Sequence, residues 1–227
     1  MREKGYYSTR TGKHPDGANL DLATLRRLFY SIYRSFVHND YFQEAFGYDC
    51  VDAGDVPGML GEDIAGALFV AVRKENLWPI HEKITSYSED DVFDMIEFLF
   101  DHVSKPIDGY FHDHANCGMH YSTFNAHEGR LEFRAKLNPI LAIYGSGFTL
   151  SEEGEVLELP DPGLGPLTEA DLPNHDPENI EQRVGAAITR FRRHRSSLED
   201  RRHALRDLAD VLEFLRPKVR SSRGQER

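Results

Sequence analysis

Two cysteines, Cys50 and Cys117, are all that 227 residues contain. A disulfide framework of the kind that staples small secreted domains is therefore excluded, and the usage implies a reducing cytoplasm. Long apolar runs are missing as well: no stretch stays uncharged over the ~20 residues that a membrane-spanning helix needs. The opening residues, Met1 to Tyr7, lack the apolar core of a signal peptide. A soluble protein with no membrane partner is expected. Motifs that name a reaction are also lacking. Ser146 sits in Gly145-Ser146-Gly147 without the GxSxG elbow, and there is no glycine-rich phosphate loop, CxxC pair or HExxH helix. The sequence thus leans toward a chain that does not itself catalyse.

What is present suffices for a core: 40% apolar residues, with 14 Phe and 10 Tyr. The net charge of -11 hides a division. From Ile180 to Arg227 there are 13 Lys and Arg against 7 Asp and Glu, whereas the preceding residues hold 14 against 31. An acidic region is followed by a basic one, and the two should attract each other or separate partners.

Helical spacing runs from Leu22 through Leu25, Phe29, Ile32 and Phe36, and a second helix fits Asp63 to Lys74. Ser88 with Asp91 resembles a capping box for a third helix over Glu89 to Val103, stopped by Pro106. Ile107 to His127 mixes Gly, His and aromatics without helical period and reads as irregular or short-strand structure. Another helix is predicted over Leu131 to Tyr144, restarted or kinked at Pro139. Phe148 to Leu150 and Val156 to Leu159 read as a β-hairpin. The expected fold is mainly α, an α+β chain with a small β-hairpin. Its parts are a disordered leader (1–18), a helical globular domain (19–159), a proline-rich linker (160–178), a long basic helix or helix pair (179–220) and a disordered tail (221–227).

The densest set of ligand-type side chains is His112, His114, Cys117 and His120. Imidazole and thiolate are what zinc takes in a tetrahedral site. Four ligands within nine residues leave little loop to wrap an ion, so a metal would use two or three of them with a distant Cys50 or His127. The reading taken is that no cofactor is needed and that the histidines cap a turn, with zinc as the alternative. On the third helix Asp90, Asp94, Glu97 and Asp101 share one face, which reads as solvated or as answering arginines of the basic region.

Val184, Phe191, Leu198, Leu205 and Leu212 recur every seven residues, the period that keeps one seam facing a partner. They predict an interface and a homo-oligomer formed through the C-terminal helix. Arg192, Arg193, Arg195, Arg201 and Arg202 flank the seam and are the candidates for binding nucleic acid phosphates.

Four stretches carry a family resemblance: Val92 to Leu99 with Ser104-Lys105-Pro106, Cys117-Gly118-Met119-His120-Tyr121, Leu137-Asn138-Pro139-Ile140-Leu141 with Tyr144, and Arg202 to Glu213. Over residues 88–217 the chain resembles bacterial abortive-infection proteins of the AbiJ-like, HEPN-associated kind. The resemblance implies a helical fold, phage-defence biology, and an RNA or defence-protein partner. HEPN ribonucleases pair an Arg with a His after four to six intervening residues, and none of the eleven histidines here has an Arg at that distance. Such proteins continue past the equivalent of Arg216 into a segment holding an Arg–His pair, so no catalytic residue carries over. The expectation is a sensing or assembly part whose toxic activity lies elsewhere, or a shortened form. The alternatives are a metal-dependent RNA- or nucleotide-processing enzyme, and a nucleic-acid-binding regulator using the arginine-rich helix.

Overall fold

The computed structural model describes residues 7–11, 20–160 and 180–223. Of the predicted leader only a short piece is described, with one helical turn at Tyr7–Arg10, and the linker apart from Pro160 lies outside the described residues. The fold is mainly helical, with three two-stranded antiparallel hairpins among the described residues.

Helix α1 (Leu22–His38) starts where Asp21 accepts a hydrogen bond from the Thr24 N–H at 2.7 Å. It buries Leu25, Phe29 and Phe36 on one face, as the spacing predicts. A tight hairpin follows, β1 (Tyr48–Cys50) with β2 (Gly54–Val56), which has no apolar run to mark it in the sequence because an Asp stands at the centre of each strand. Helix α2 (Ile64–Val72) is capped by Asp63 and ends at Arg73, whose φ of 62° reverses the chain.

Helix α3 (Glu89–His102) is the centre of the core. Its predicted capping box is present, Ser88 accepting from the Asp91 N–H and Asp91 from the Ser88 N–H. Seven of its apolar residues are buried, so it is covered on most of its circumference. Helix α4 (Ala126–Leu141) packs Phe133 edge-on against Phe36, with ring centroids 5.1 Å apart. It starts five residues earlier than predicted, because Asn125 caps it through the Glu128 N–H. Pro139 does not restart it: the proline lies in the last turn, where only one hydrogen bond is lost.

Between these two helices, residues read as irregular or short-strand structure form an eight-on-eight ribbon, β3 (Lys105–His112) with β4 (Gly118–Asn125), bulged near Asp108. Its apolar residues do not alternate, since Ile107, Tyr110 and Phe111 stay exposed, and so the period that betrays a strand is absent. Gly109 lets the two strands close: a Cβ there would stand 2.2 Å from the His120 carbonyl oxygen.

The predicted hairpin is found as β5 (Phe148–Leu150) with β6 (Val156–Glu158), and Asn138 of α4 brackets Leu150 by accepting from its N–H at 2.8 Å. The basic region is two helices, not one: α5 (Gln182–Arg192) and α6 (Leu198–Arg223). The chain reverses between them through Arg195, whose φ is 53°. Helix α6 carries the backbone to Arg223, into the predicted tail.

Candidate metal centre

Cys50 ends β1, His112 ends β3, Cys117 lies in the following turn and His120 is the third residue of β4. One ligand-type atom from each of the four lies within 4.8 Å of the others. Cys50 Sγ is 3.7 Å from His112 Nδ1, and Cys117 Sγ is 3.1 Å from His120 Nε2. Zinc–sulfur bonds of ~2.3 Å and zinc–nitrogen bonds of ~2.0 Å give tetrahedral edges of roughly 3.3–3.8 Å. The 3.7 and 3.1 Å separations lie close to such edges, and all four donors lie within 4.8 Å of one another. Two neutral imidazoles and two thiolates are also the chemistry zinc prefers.

The remaining ring nitrogens are held as metal-bound histidines require. His112 Nε2 faces Asp52 Oδ2 at 3.1 Å, and His120 Nδ1 faces the Tyr110 hydroxyl at 2.8 Å. These bonds direct Nδ1 of His112 and Nε2 of His120 into the cluster. Tyr48 packs on the His120 ring at 4.3 Å. Buried Gln43 clamps both neighbours of His120, donating to the Met119 carbonyl at 3.1 Å and accepting from the Tyr121 N–H at 2.6 Å. Gly118, with φ of 106°, supplies the left-handed residue that turns Cys117 back toward the ribbon.

Three of the four predicted ligand candidates thus converge, and Cys50 from another hairpin completes the set. His114 does not join these four: its exposed ring pairs with Asp52 at 2.9 Å, within a separate grouping of Asp52, His112 and His114. The reason is the turn, where Ala115 at φ 51° separates His114 from Cys117. His127 is exposed on α4, outside the cluster. Asp52, Tyr110 and Gln43 were not singled out from the sequence, since nothing local marks a residue that acts across a register.

Four of the five arginines predicted to hold nucleic acid dock the C-terminal helices onto the acidic region, and Arg202 pairs within its own helix. Arg193 grips Glu155 with Nε and Nη2 at 3.2 and 3.0 Å, and Arg195 bonds Asp90 at 2.9 Å and Glu89 at 3.1 Å. Arg192 donates to the Glu158 carbonyl, Arg201 lies 3.8 Å from the Glu158 carboxylate and over the Phe191 ring, and Arg202 is 3.8 Å from Glu199. The carboxylate stripe of α3 answers in part: Asp90 takes Arg195, Asp94 takes Lys74, and Glu97 accepts from the Val156 N–H. Burial holds the Glu97 carboxyl above its ordinary range, against the lowering effect of that N–H.

His194 sits at the middle of this contact. Its Nδ1 lies 3.0 Å from Glu158 and its Nε2 3.0 Å from Glu89, while Phe93 and Phe148 present ring contacts. His194→Phe keeps the ring contacts and removes the hydrogen bonding to Glu89 and Glu158, so it should loosen the docked helices by about 2 kcal/mol. Hydrogen exchange across α5 and α6 is the measurement, with about 30-fold faster exchange expected there and little change in α3.

The seam divides at the chain reversal. Ala187, Ala204 and Val211 are buried between or beneath α5 and α6, whereas Phe191 is 39% exposed and Leu198, Leu205 and Leu212 are 57–67% exposed. Val184 is half-buried. No helix among the described residues is long and apolar enough to cross a membrane. In comparisons with protein-family models, curated proteins and solved structures, nothing matches this chain.

Proposed function

We propose that the chain is a non-catalytic assembly protein whose two central hairpins are joined by a structural zinc ion on Cys50, His112, Cys117 and His120. The observation that carries this reading is the convergence of four protein donors from two hairpins within 4.8 Å. Zinc enzymes keep a coordination position open for water, usually with three protein ligands, while a fourth protein ligand closes the polyhedron. Bound there, zinc would supply cross-linking of β1–β2 to β3–β4. The residues do the rest: Asp52 and Tyr110 fix the two imidazoles, and Gln43 fixes the strand that carries His120.

Assembly is the second part of the proposal. It rests on the apolar stripe left on α5 and α6 after the helices have packed on each other. The setting in phage defence rests on the sequence resemblance, and phage plating on cells with and without the gene tests it.

The competing reading, a metal-dependent nuclease at the same cluster, is separated by one assay. Labelled RNA incubated with the protein, with and without added zinc or magnesium, should remain intact. Cleavage that disappears in His112→Ala and persists in His114→Ala would replace the structural reading with a catalytic one.

A further inference from the structure

Arginines in this chain are rarely left bare. Those of the C-terminal region that were expected to meet phosphates are engaged with carboxylates or carbonyls of the same molecule. Arg134, Arg183 and Arg190 are paired as well. Among the described residues Arg27, Arg34, Arg73 and Arg206 have no ion pair, and helix α1 is the element that carries two of them. Its 17 residues contain no Asp or Glu, although at the chain's average content such a helix would hold about three, and a solvated face ordinarily mixes signs.

Arg27, Ser31, Arg34 and His38 form one exposed line along it, at steps of four, three and four. Among the described residues neither Arg27 nor Arg34 has an ion pair, and Arg34 rests only on the Tyr30 ring, 5.9 Å from its centroid. A hollow of 500 Å³ follows this line. A second, of 440 Å³, shares Arg27 and Tyr30 and adds Arg26 and His81. The Arg26 Nε–H there is buried without an acceptor, although its two terminal nitrogens bond the Thr85 and Tyr87 carbonyls.

From these observations we infer that α1 presents a binding face for single-stranded nucleic acid, with Arg27 and Arg34 on successive backbone phosphates. The chemistry is that of a phosphate polymer: two unpaired guanidinium forks one heptad apart, about 10 Å along the helix. Tyr30 between them offers an aromatic edge to a base, and single strands are held by this combination of arginine line and aromatic. Charge on the rest of the molecule opposes binding only weakly, because electrostatic potentials decay over about 8 Å at physiological salt. The single strand is favoured over a lipid surface because the line carries no large apolar side chain to enter a bilayer.

The test is fluorescence anisotropy with a labelled 20-nucleotide oligouridylate, titrated with the full chain from 50 to 200 mM salt. Arg27→Glu/Arg34→Glu is compared with Arg73→Glu/Arg206→Glu, which makes the same charge change away from α1. Circular dichroism confirms that both fold. Binding should weaken at least about tenfold in the first variant and less than about threefold in the second, and the first should lower the salt slope by about 1.4, two phosphates' worth for a single strand. A duplex of equal length should bind more weakly. Equal losses in both variants, tighter binding of the duplex, absence of binding at 50 mM salt, or capture of phosphatidylserine vesicles in place of RNA would each overturn the inference. The zinc content of the protein plays no part in it, so it stands or falls apart from the proposed function.

Discussion

Protein purified without chelators is expected to carry one zinc ion per chain, and Cys50→Ser/Cys117→Ser is expected to carry none. His112→Ala and His120→Ala should lose most of it, whereas His114→Ala should keep it, since His114 lies on Asp52 outside the four-donor set. Stripping the ion should lower the melting temperature by roughly 8–16 °C. The estimate follows from mass action: free zinc at about a thousand times its dissociation constant adds ~4 kcal/mol, and a domain of this length shifts by about 2–4 °C per kcal/mol. The effect should be local first. Tyr48, Tyr110 and the β1–β2 turn should gain exchange before α3 and α4 do, because the helical core around Phe29, Leu99 and Phe133 is closed without the ion. Zinc below a tenth of an equivalent, with chelation leaving the melting curve unchanged, would return Cys50 and the histidines to the role of packed hairpin residues.

The sequence shows this centre only in part, and the parts differ in kind. Helices α1 and α3 were legible because each buries a face at helical spacing, and α3 also has its Ser88–Asp91 box. The β5–β6 hairpin was legible for a similar reason, two short apolar runs around Ser151 to Glu155. The β3–β4 ribbon was legible only as irregular or short-strand structure, since a two-stranded ribbon with exposed aromatics has no buried face to impose alternation. Its register decides which histidine meets which cysteine: pairing Tyr110 with His120 and His112 with Gly118 is what gathers the site. His112, Cys117 and His120 stood out by residue type. Cys50, 62 residues before His112, entered only as a distant possibility, and its joining depends on a β1–β2 hairpin whose strands, each with a central Asp, have no apolar run to mark them.

The C-terminal region teaches a different lesson. One heptad phase runs unbroken from Val184 to Leu212, yet the chain turns back at Arg193 to Ser197, so continuity of phase did not imply continuity of helix. Electrostatics fixes the turn there. Arg193, His194 and Arg195 meet Glu155, Glu158, Glu89 and Asp90, and the charge division seen in the sequence becomes an intramolecular contact. Arginines placed to neutralise carboxylates are poorly placed to neutralise phosphates as well, which is why the bare line on α1 is the stronger candidate for a polyanion.

What the reversal leaves outside predicts an assembly. At concentrations above tens of micromolar the protein should sediment at twice its chain mass of 26.0 kDa, and Leu205→Asp should return it to a monomer. Leu198, Leu205 and Leu212 stand on the solvent side of α6, 67, 57 and 67% exposed, with Phe191 of α5 at 39%. Burying the exposed part of each is worth about 1.5 kcal/mol, a little over half of what full burial of such a side chain gives, hence roughly 12 kcal/mol for eight side chains in a symmetric pair. Association costs about 6 kcal/mol before any contact is made, and the ~6 kcal/mol left corresponds to a dissociation constant of tens of micromolar. The balance describes a weak, concentration-dependent dimer, which light scattering at one dilute concentration would miss and sedimentation equilibrium across a hundredfold range would detect. Leu205 is the central residue of the stripe and makes little of the monomer's core, so Leu205→Asp should leave the circular dichroism spectrum and the zinc content unchanged while placing two carboxylates at the centre of the contact. A chain that stays monomeric at 100 µM, or a Leu205→Asp variant that dimerises as well as the parent, would remove the stripe from the assembly and leave it an ordinary exposed face.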